Sequence, residues 1–533
     1  MAAPRCGWRL LHISLVVVTL MPLQHALALG RAATRTQRGD DSTTKLTKHE
    51  PLHVTPLLEH NLEDAREAMK VNGVTPHVSY AGFFNVANAT ASYESNMYVW
   101  FHPAQNQPPS AAAKTLVWLQ GGPGASSLFG MFNELGPIRI NEQMQVENMP
   151  YTWNDNFNLL FIDNPVGAGF SYTTADEGYC TTTRGCVSHN LYALLQQFVL
   201  VFPEVLKAEL FITGESYGGH YVPAFASHIH QANIMIENEQ HVFVPNLPTN
   251  AVRLPLAGAA IGDGWVDPVN MVGGYAELLH SLSLVNLEQR TRIESYQDSM
   301  LSSIFEERFY DAFCAWDEML NGDVFPHPSY FHNITGSSNY DNVLKTEAPA
   351  SFSYYNKFLA SSEVRDAIHV GNAKWQSGAE CEKHLLNDFM VSYVPELADL
   401  MESGYAVLVY SGQLDIIVAS PLTERYLASI PWHGASDFAK SPRVVWRVSE
   451  SDEEVAGFVQ YAHTFTRAVV RSAGHILPFD QPRVAHDMIT RWIEGTAPFA
   501  PRHPPRKTKT RQQPAPVIEM AKQRPTTSER TSY

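Results

Sequence analysis

Residues 210–223 read LFITGESYGGHYVP, and this stretch decides the fold. The apolar run before Gly214 predicts a buried strand, and the residues after Gly218 predict a helix. Between them stands the pattern G-x-S-x-G, a sharp turn that lifts the hydroxyl of Ser216 above the edge of a sheet. The alternative is a tight turn without chemistry, but the apolar strand immediately upstream favours a nucleophilic serine beside a base.

Other short apolar runs surround this one and predict further buried strands, at residues 115–119, 159–162, 406–410 and 468–470. Runs that are apolar on both faces are typical of a parallel sheet covered by helices. The apolar segment 191–202 has the length of a helix and lies between two predicted strands, which indicates a doubly wound order. We therefore predict an α/β-hydrolase fold with a central, mostly parallel sheet flanked by helices.

Two polar loops follow later strands and supply the partners of the serine. Asp415 ends the segment YSGQLD, and His475 lies within SAGHILP. The order Ser, Asp, His along the chain fits this fold, and such sheets build their sites in loops at the carboxyl ends of strands. His475 would take the proton from Ser216 and return it to the leaving group, while Asp415 would orient His475 and stabilise its charged form. This chemistry requires no cofactor and no metal.

A glycine-rich loop, WLQGGPGASS at residues 118–127, follows the first of the central strands. Backbone N–H groups in such a loop and after the nucleophile stabilise the developing oxyanion in hydrolases. We predict that the two donors are the N–H groups of Gly122 and Tyr217. The alternative, a plain Gly-Pro turn, explains the glycines but not their position after a buried strand.

Changes in composition predict how the chain is organised. Arg5 and Arg9 precede an apolar stretch and an Ala-x-Ala site at residues 26–28, which predicts a signal peptide over 1–28. The alternative is a membrane anchor, but this stretch is shorter than the ~18–20 residues that span a bilayer, and no later segment predicts a membrane span. The remaining ranges are a pro-like or wrapping segment over 29–75, a hydrolase core over 76–270 and 370–498, an inserted helical lid or cap over 271–369, and a disordered basic tail over 499–533.

Cysteine number and spacing predict two disulfides. Cys6 leaves with the signal peptide, and the four cysteines that remain are an even number in an oxidising compartment. Cys180 and Cys186 flank a Thr/Gly-rich turn, so their pairing is predicted first. Cys314 with Cys381 is the remaining pair.

Charge and short motifs exclude other classes of protein. The net charge of −16 argues against broad nucleic-acid binding. Sequons at Asn88 and Asn333 predict glycosylation on the secretory route. His228 and His230 stand two residues apart, which is poor spacing for metal ligands on a helix, so they are interpreted as solvated or pH-responsive.

Seven segments together resemble the serine carboxypeptidase family: WLQGGPGASS (118–127), NELGP (133–137), FIDNPVGAGFSY (161–172), GESYGGHYVP (214–223), IGDGWVDP (261–268), SGQLDIIV (411–418) and GHILPFDQP (474–482). They cover most of the chain. The resemblance implies a serine-type exopeptidase that releases C-terminal residues from peptides through an acyl-enzyme.

The resemblance also implies how the substrate is held. Members of the family bind the substrate's terminal carboxylate with side chains that correspond to Gln120, Glu134 and Glu215. Two carboxyl groups that lie close together share a proton, and the protonated group can donate a hydrogen bond to the substrate carboxylate. Because the pair ionises and repels that carboxylate as the pH rises, we expect activity to be highest at acidic pH.

The chain departs from the family pattern at two positions. The family more often has Asn in place of Gln120, so the amide here is displaced by roughly an ångström or more, enough to matter in a preorganised site. The family also often has Cys in place of Ala125, so a disulfide is lost there. Neither change removes a catalytic group.

Other readings remain open beside hydrolysis. A carboxypeptidase-like acyltransferase would use the same triad with an alcohol or amine acceptor, and a non-catalytic protective or binding protein would keep the scaffold alone. The intact Ser216, Asp415 and His475 argue against the second. A lipase or general esterase is disfavoured because the carboxylate-binding side chains suit a peptide terminus. The predicted partners are peptide or protein substrates with a free C-terminus, with a homodimer as a candidate assembly, in an extracellular or lysosomal/vacuolar location.

Overall fold

The computed structural model describes residues 49–501 except 89, 107–111, 323 and 325–327. The predicted signal peptide, residues 29–48 and most of the predicted basic tail (502–533) lie outside the described residues. The described part contains fifteen strands: β1 (Tyr80–Asn85), β2 (Ser95–His102), β3 (Thr115–Leu119), β4 (Ile138–Ile140), β5 (Val146–Asn148), β6 (Asn158–Ile162), β7 (Ala168–Gly169), β8 (Tyr172–Thr173), β9 (Leu210–Glu215), β10 (Leu256–Gly262), β11 (Gln376–Ser377), β12 (Ala406–Gly412), β13 (Val444–Trp446), β14 (Gly457–Ala462) and β15 (Phe465–Val470).

Seventeen α-helices lie in the same part of the chain: α1 (Leu62–Ala68), α2 (Leu128–Asn133), α3 (Ser188–Val201), α4 (Gly218–Glu237), α5 (Pro268–Met271), α6 (Tyr275–Ser281), α7 (Leu287–Phe305), α8 (Phe309–Trp316), α9 (Tyr330–Thr335), α10 (Tyr354–Ala360), α11 (Ser362–Ala367), α12 (Ala379–Leu385), α13 (Val394–Glu402), α14 (Ser420–Leu427), α15 (Ala435–Lys440), α16 (Leu477–Asp480) and α17 (Pro482–Glu494). No helix among them combines the length and the apolar character needed to cross a membrane.

The main sheet has the strand order β1-β2-β6-β3-β9-β10-β12-β15-β14-β13, with β8 paired to β2. The six strands from β6 to β15 in this order pair in parallel, and antiparallel strands extend the sheet at both ends. The five strands expected from the sequence lie within β3, β6, β9, β12 and β15, and the expected helix at 191–202 overlaps α3, which ends one residue earlier. The predicted fold class is therefore confirmed.

Both faces of this sheet are covered, and β9 shows why its sequence is continuously apolar. Leu210 and Ile212 pack into the core on one face, which also contains the buried side chains of α3 and α4. Phe211 packs into the core on the opposite face, where its ring and that of Trp492 on α17 are arranged edge to face with their centroids 5.3 Å apart. A strand buried on both faces cannot alternate apolar and polar residues.

The predicted lid segment 271–369 lies between β10 and β12 and contains α6 to α11. Its helix α8 packs onto the core through Trp316, whose ring lies 5.9 Å from Trp265 and 4.8 Å from Phe389. The described part of the 29–75 segment packs along β1, where the Val54 N–H donates to the Phe83 carbonyl at 2.7 Å. The domain boundaries themselves remain predictions.

One of the two predicted disulfides is present. Cys180 and Cys186 are bonded. The prediction of a bond between Cys314 and Cys381 is wrong, since the two are not joined. Cys314 belongs to α8 in the inserted segment, whereas the Cys381 sulfur on α12 lies against the glycine-rich loop, 3.2 Å from where a Cβ on Gly124 would stand.

Candidate active site

Ser216 stands on the turn between β9 and α4 with a φ of +58°, a conformation that non-glycine residues rarely adopt. Two hydrogen bonds hold this backbone in place: the Ser216 N–H donates to the Gly262 carbonyl at 3.0 Å, and the Trp265 N–H donates to the Ser216 carbonyl at 2.8 Å. Strain maintained by surrounding structure is typical of functional turns. The predicted nucleophile therefore occupies the sharp turn that the motif indicates, where it is half-buried.

His475 and Asp415 meet behind this turn. The Nδ1 atom of His475 lies 2.9 Å from Oδ2 of Asp415, and the Val418 N–H donates to the other carboxylate oxygen at 3.1 Å. The His475 N–H donates to the Asp341 carbonyl at 2.6 Å. With Nδ1 donating to Asp415, the remaining ring nitrogen is the one that can accept a proton.

The electrostatic surroundings favour a charged His475. Burial alone lowers the pKa of this imidazole, but the charge of Asp415, its hydrogen bond and the more distant Asp341 outweigh burial, so the pKa is raised from its usual value. These surroundings stabilise the imidazolium that forms when His475 takes the proton of the serine hydroxyl.

The glycine-rich loop approaches the serine more closely than a side chain would allow. A Cβ on Gly121 would lie 2.5 Å from the Cβ of Ser216 and 2.6 Å from the backbone nitrogen of Tyr217. Among the described residues, the N–H groups of Gly122 and Tyr217 donate to no other group, so both remain available. Their loops thus bring two candidate oxyanion donors to the same end of the sheet.

Gln120, Glu134 and Glu215 form one buried cluster. The amide nitrogen of Gln120 donates to Glu215 at 2.7 Å and to Glu134 at 3.2 Å. The indole N–H of Trp118 donates to the amide oxygen of Gln120 at 2.8 Å, which turns the nitrogen towards the two acids. A Cβ on Gly130 would lie 2.8 Å from that oxygen, so this glycine leaves room for the longer side chain at position 120.

The two glutamates of this cluster are completely buried. Burial raises the pKa of both carboxyl groups, and the neighbouring charge of Glu134 raises that of Glu215 further. The second oxygen of each accepts no hydrogen bond within the described residues. A buried pair of this kind is stable when it holds a proton, because two adjacent carboxylates cannot both ionise cheaply.

These groups open into one cavity of about 330 Å³. Ser216, His475, Gln120 and Glu215 all line it, together with the glycine-rich loop. The remaining wall combines side chains of the inserted segment and of the core: Trp316, Asn321, Tyr340, Asp341, Glu382, Phe389 and Ile417. Ser216 and His475 thus share this space with Gln120 and Glu215, whereas Asp415 and Glu134 do not line it but are hydrogen-bonded to His475 and Gln120.

Asp163, in the segment FIDNPVGAGFSY, is a buried acid whose role the sequence motifs do not indicate. Its carboxyl group accepts hydrogen bonds from the hydroxyl of Ser126 and from the Phe170 N–H, the latter at 2.8 Å. Burial raises its pKa to about 7. Asp163 therefore ties the loop after the oxyanion turn to the loop after β6.

The structure also bears on metal binding. His230 is buried, with one ring nitrogen 2.9 Å from the Tyr405 hydroxyl and the other 3.1 Å from the Ser403 hydroxyl, so the interpretation of this residue as solvated is wrong. Within the described residues, the potential ligand atoms of Asp263, Asp415 and His475 all lie within 4.8 Å of one another. The hydrogen bond from His475 to Asp415 accounts for that spacing, and we assign no metal to it.

The sheet order, the serine turn after its central strand and the inserted helices define an α/β-hydrolase. A family model described as serine carboxypeptidase matches residues 70–495, and the chain belongs to this family. The solved structure of the Kex1 carboxypeptidase from Saccharomyces cerevisiae agrees in fold, with a TM-score of 0.64, 22% identity, and coverage of 80% of this chain and 96% of that one.

Curated relatives extend over nearly the whole chain. It is 39% identical to the human "Probable serine carboxypeptidase CPVL" over 492 residues, which cover 92% of this chain and 97% of the relative. It is also 39% identical to the vitellogenic carboxypeptidase of Aedes aegypti over 451 residues, 83% of this chain and 89% of the relative. The predicted family is confirmed, as is the likeness to vitellogenic-like carboxypeptidase that Gln120, GGYAE (273–277) and HVGN (369–372) indicate.

Proposed function

We propose that this serine carboxypeptidase releases single residues from the free C-terminus of peptides at acidic pH, with Ser216 as nucleophile, His475 as general base and acid, and Asp415 as its orienting partner. One observation carries the proposal. The amide of Gln120 joins two buried carboxyl groups, and Gln120 and Glu215 line the same cavity as the serine and the histidine. Such a cluster suits a substrate carboxylate next to the bond that is cleaved.

The steps follow from the roles of these groups. His475 accepts the proton of the Ser216 hydroxyl as its oxygen attacks the scissile carbonyl. The N–H groups of Gly122 and Tyr217 stabilise the oxyanion, and the departing amino acid receives the proton from His475. Water then enters, loses a proton to His475 and hydrolyses the acyl-serine, which regenerates the enzyme. Throughout, the protonated carboxyl pair and Gln120 hold the terminal carboxylate of the residue that leaves.

The test uses matched peptides that differ in one group. One member of each pair has a free terminal carboxyl group, and the other has an amide there. Mass spectrometry at acidic pH should show stepwise loss of C-terminal residues from the first and little from the second. The Ser216→Ala variant should release nothing. Equal turnover of both peptides would overturn the proposal.

The same assay separates the alternative classes. With an added alcohol or amine acceptor, an acyltransferase would give a peptide product heavier by the acceptor, whereas a hydrolase gives mainly the free acid. A non-catalytic protein would leave both peptides intact and would fail to label at Ser216 with a fluorophosphonate probe.

We further propose that the chain enters the secretory pathway and works outside the cell or in a lysosomal or vacuolar compartment. The exposed sequon residues Asn88 and Asn333 and the disulfide between Cys180 and Cys186 support this location. When the full chain is expressed in animal cells, Asn88→Gln and Asn333→Gln should each remove one glycan, seen as a loss of mass. Recovery of an unglycosylated protein from the cytosol would contradict it.

A further inference from the structure

Asp263 belongs to the segment IGDGWVDP, which contributes no residue to the triad or to the carboxylate-binding cluster. It follows β10 and is completely buried, with a φ of +42°. Its N–H donates to the Tyr410 carbonyl at 2.8 Å, and its Oδ1 accepts from the Gly412 N–H at 2.8 Å. Both bonds lead to β12, the strand that immediately precedes the loop of Asp415.

A carboxyl oxygen of Asp263 lies within 4.8 Å of one of Asp415, and both side chains are buried. Its second oxygen, Oδ2, is buried and accepts no hydrogen bond in the part of the chain that the structure describes. Carboxylate oxygens only accept hydrogen bonds, so two ionised carboxylates in contact have no donor between them. A buried contact of this kind becomes favourable when one of the two groups is protonated.

The charged and titratable groups around Asp263 determine which of the two holds the proton. Burial and then the charge of Asp415 raise the pKa of Asp263 well above its usual range. Arg467 acts in the opposite direction, but its guanidinium is bonded to Glu424, Ser411 and Ser420. Other titratable groups near Asp263 are the ring of His475, with a nitrogen within 4.8 Å, and Glu215 and the phenol of Tyr410, whose pKa values the charge of Asp263 raises.

Asp415 differs from Asp263 because both of its oxygens accept hydrogen bonds, one from the ring of His475 and the other from the Val418 N–H. We propose that Asp263 is a positioning residue that stays protonated in the working enzyme and donates a hydrogen bond to Asp415, so that a neutral acid orients the ionised one. The inference rests on the proposed function, because it concerns the same catalytic histidine.

Loss of this proton would impair catalysis for two reasons. The hydrogen bond that steadies Asp415 would be replaced by repulsion between two carboxylates. A second negative charge near His475 would also stabilise the imidazolium, so that less of the neutral base is present. Ionisation of Asp263 would therefore contribute to the decline of kcat at alkaline pH. The glutamate pair acts separately, through substrate affinity.

Three variants test this assignment. Asp263→Asn keeps the shape and supplies an N–H donor that cannot ionise, whereas Asp263→Leu removes the donor. Asp267→Asn is the matched control: Asp267 lies in the same segment and is buried, but its carboxyl group accepts from Asn270 at 2.6 Å. The full chain is assayed with a free-acid peptide at saturation, because Asp263 also raises the pKa of Glu215, which affects KM.

For Asp263→Asn we expect kcat at acidic pH to stay within about threefold of the wild type. The pH at which kcat declines on the alkaline side should be at least about one unit higher than in the wild type, a shift worth about 1.4 kcal/mol. Asp263→Leu should lose at least about tenfold in kcat at every pH, with thermal unfolding reporting any loss of fold. Asp267→Asn should retain the wild-type profile.

An infrared difference spectrum between wild type and Asp263→Asn gives a readout independent of turnover. It should contain the carbonyl stretch of one protonated carboxyl group, present in the wild type and absent in the variant. An Asp263→Asn alkaline limb that coincides with the wild type, or a difference spectrum without that band, would overturn the inference. A wild type that turns over no free-acid peptide would instead contradict the proposed function.

Discussion

The Glu215→Gln variant tests how the enzyme recognises a peptide terminus. In the wild type, the buried Glu134 and Glu215 share a proton at acidic pH, and burial raises the pKa of Glu134 to about 7. Below this pH the pair is protonated, so KM for a free-acid peptide should be constant. Above it, the proton must be taken up again for the substrate to bind, so KM should rise tenfold per pH unit, about 1.4 kcal/mol each.

Replacing Glu215 by its amide supplies an N–H donor that cannot ionise. Because this donor persists between pH 6 and 8, binding of the substrate carboxylate no longer depends on the proton of the pair. We expect the ratio of KM at pH 8 to KM at pH 6 to fall from about tenfold to less than about threefold. Initial rates with one free-acid peptide, measured at several concentrations and at each pH, give this ratio.

Two controls isolate the carboxylate contact. Glu382→Gln makes the same chemical change elsewhere in the cavity wall and should leave the rise in KM intact. A peptide with an amidated terminus should bind weakly at all pH values and show no rise. If the Glu215→Gln enzyme kept the wild-type pH dependence of KM, the shared proton would have no part in substrate binding.

Three further substitutions probe the triad, the loop and the core, and a fourth is a surface control. Asp415→Asn removes the negative charge beside His475 while keeping the shape of the side chain. Steady-state assays should show kcat reduced by about 10⁴-fold with little change in KM. Activity within tenfold of the wild type would argue against Asp415 as the orienting acid. Gly121→Ala places a Cβ 2.5 Å from that of Ser216 and 2.6 Å from the backbone nitrogen of Tyr217, so the serine turn must shift and kcat should fall by about 10²–10³-fold. The urea midpoint should fall as well, and an unchanged kcat would contradict the close approach of the loop. Trp492→Ala empties a fully buried site against Phe211 and should cost about 3–5 kcal/mol in urea unfolding. Leu287→Ala, at a side chain 68% exposed, should change stability by less than about 0.5 kcal/mol, and equal losses for these two would refute the packing argument.

The sequence predicts strands that contain a run of large apolar residues. β3, β6, β9, β12 and β15 are buried on both faces, so each is visible as an apolar run. β10 was not predicted, because its sequence LAGAAIG consists mostly of small residues. The structure explains this composition: a Cβ on Gly258 would lie 2.5 Å from the carbonyl oxygen of Ala406 on the neighbouring strand.

The site was predictable to the extent that motifs and chain order determine it. Ser216, Asp415 and His475 were selected by their positions after strands, without any distance between them. The pairing of Cys314 with Cys381 failed because an even cysteine count contains no geometry. Asp263 was quoted within a motif and given no role, because burial beside another carboxyl group determines its chemistry and burial depends on the folded sheet.

The central position of β9 affects how the chain acquires activity during synthesis. The strands β3 and β6 precede β9 in the chain, so one half of the sheet can assemble around the serine turn early. His475 arrives only after β15, which needs β12, and β12 in turn needs β10. Sequence-distant pairings of this kind form slowly. A partly made chain therefore carries an inert serine, and the proteolytic function begins only once the final parallel strand has docked.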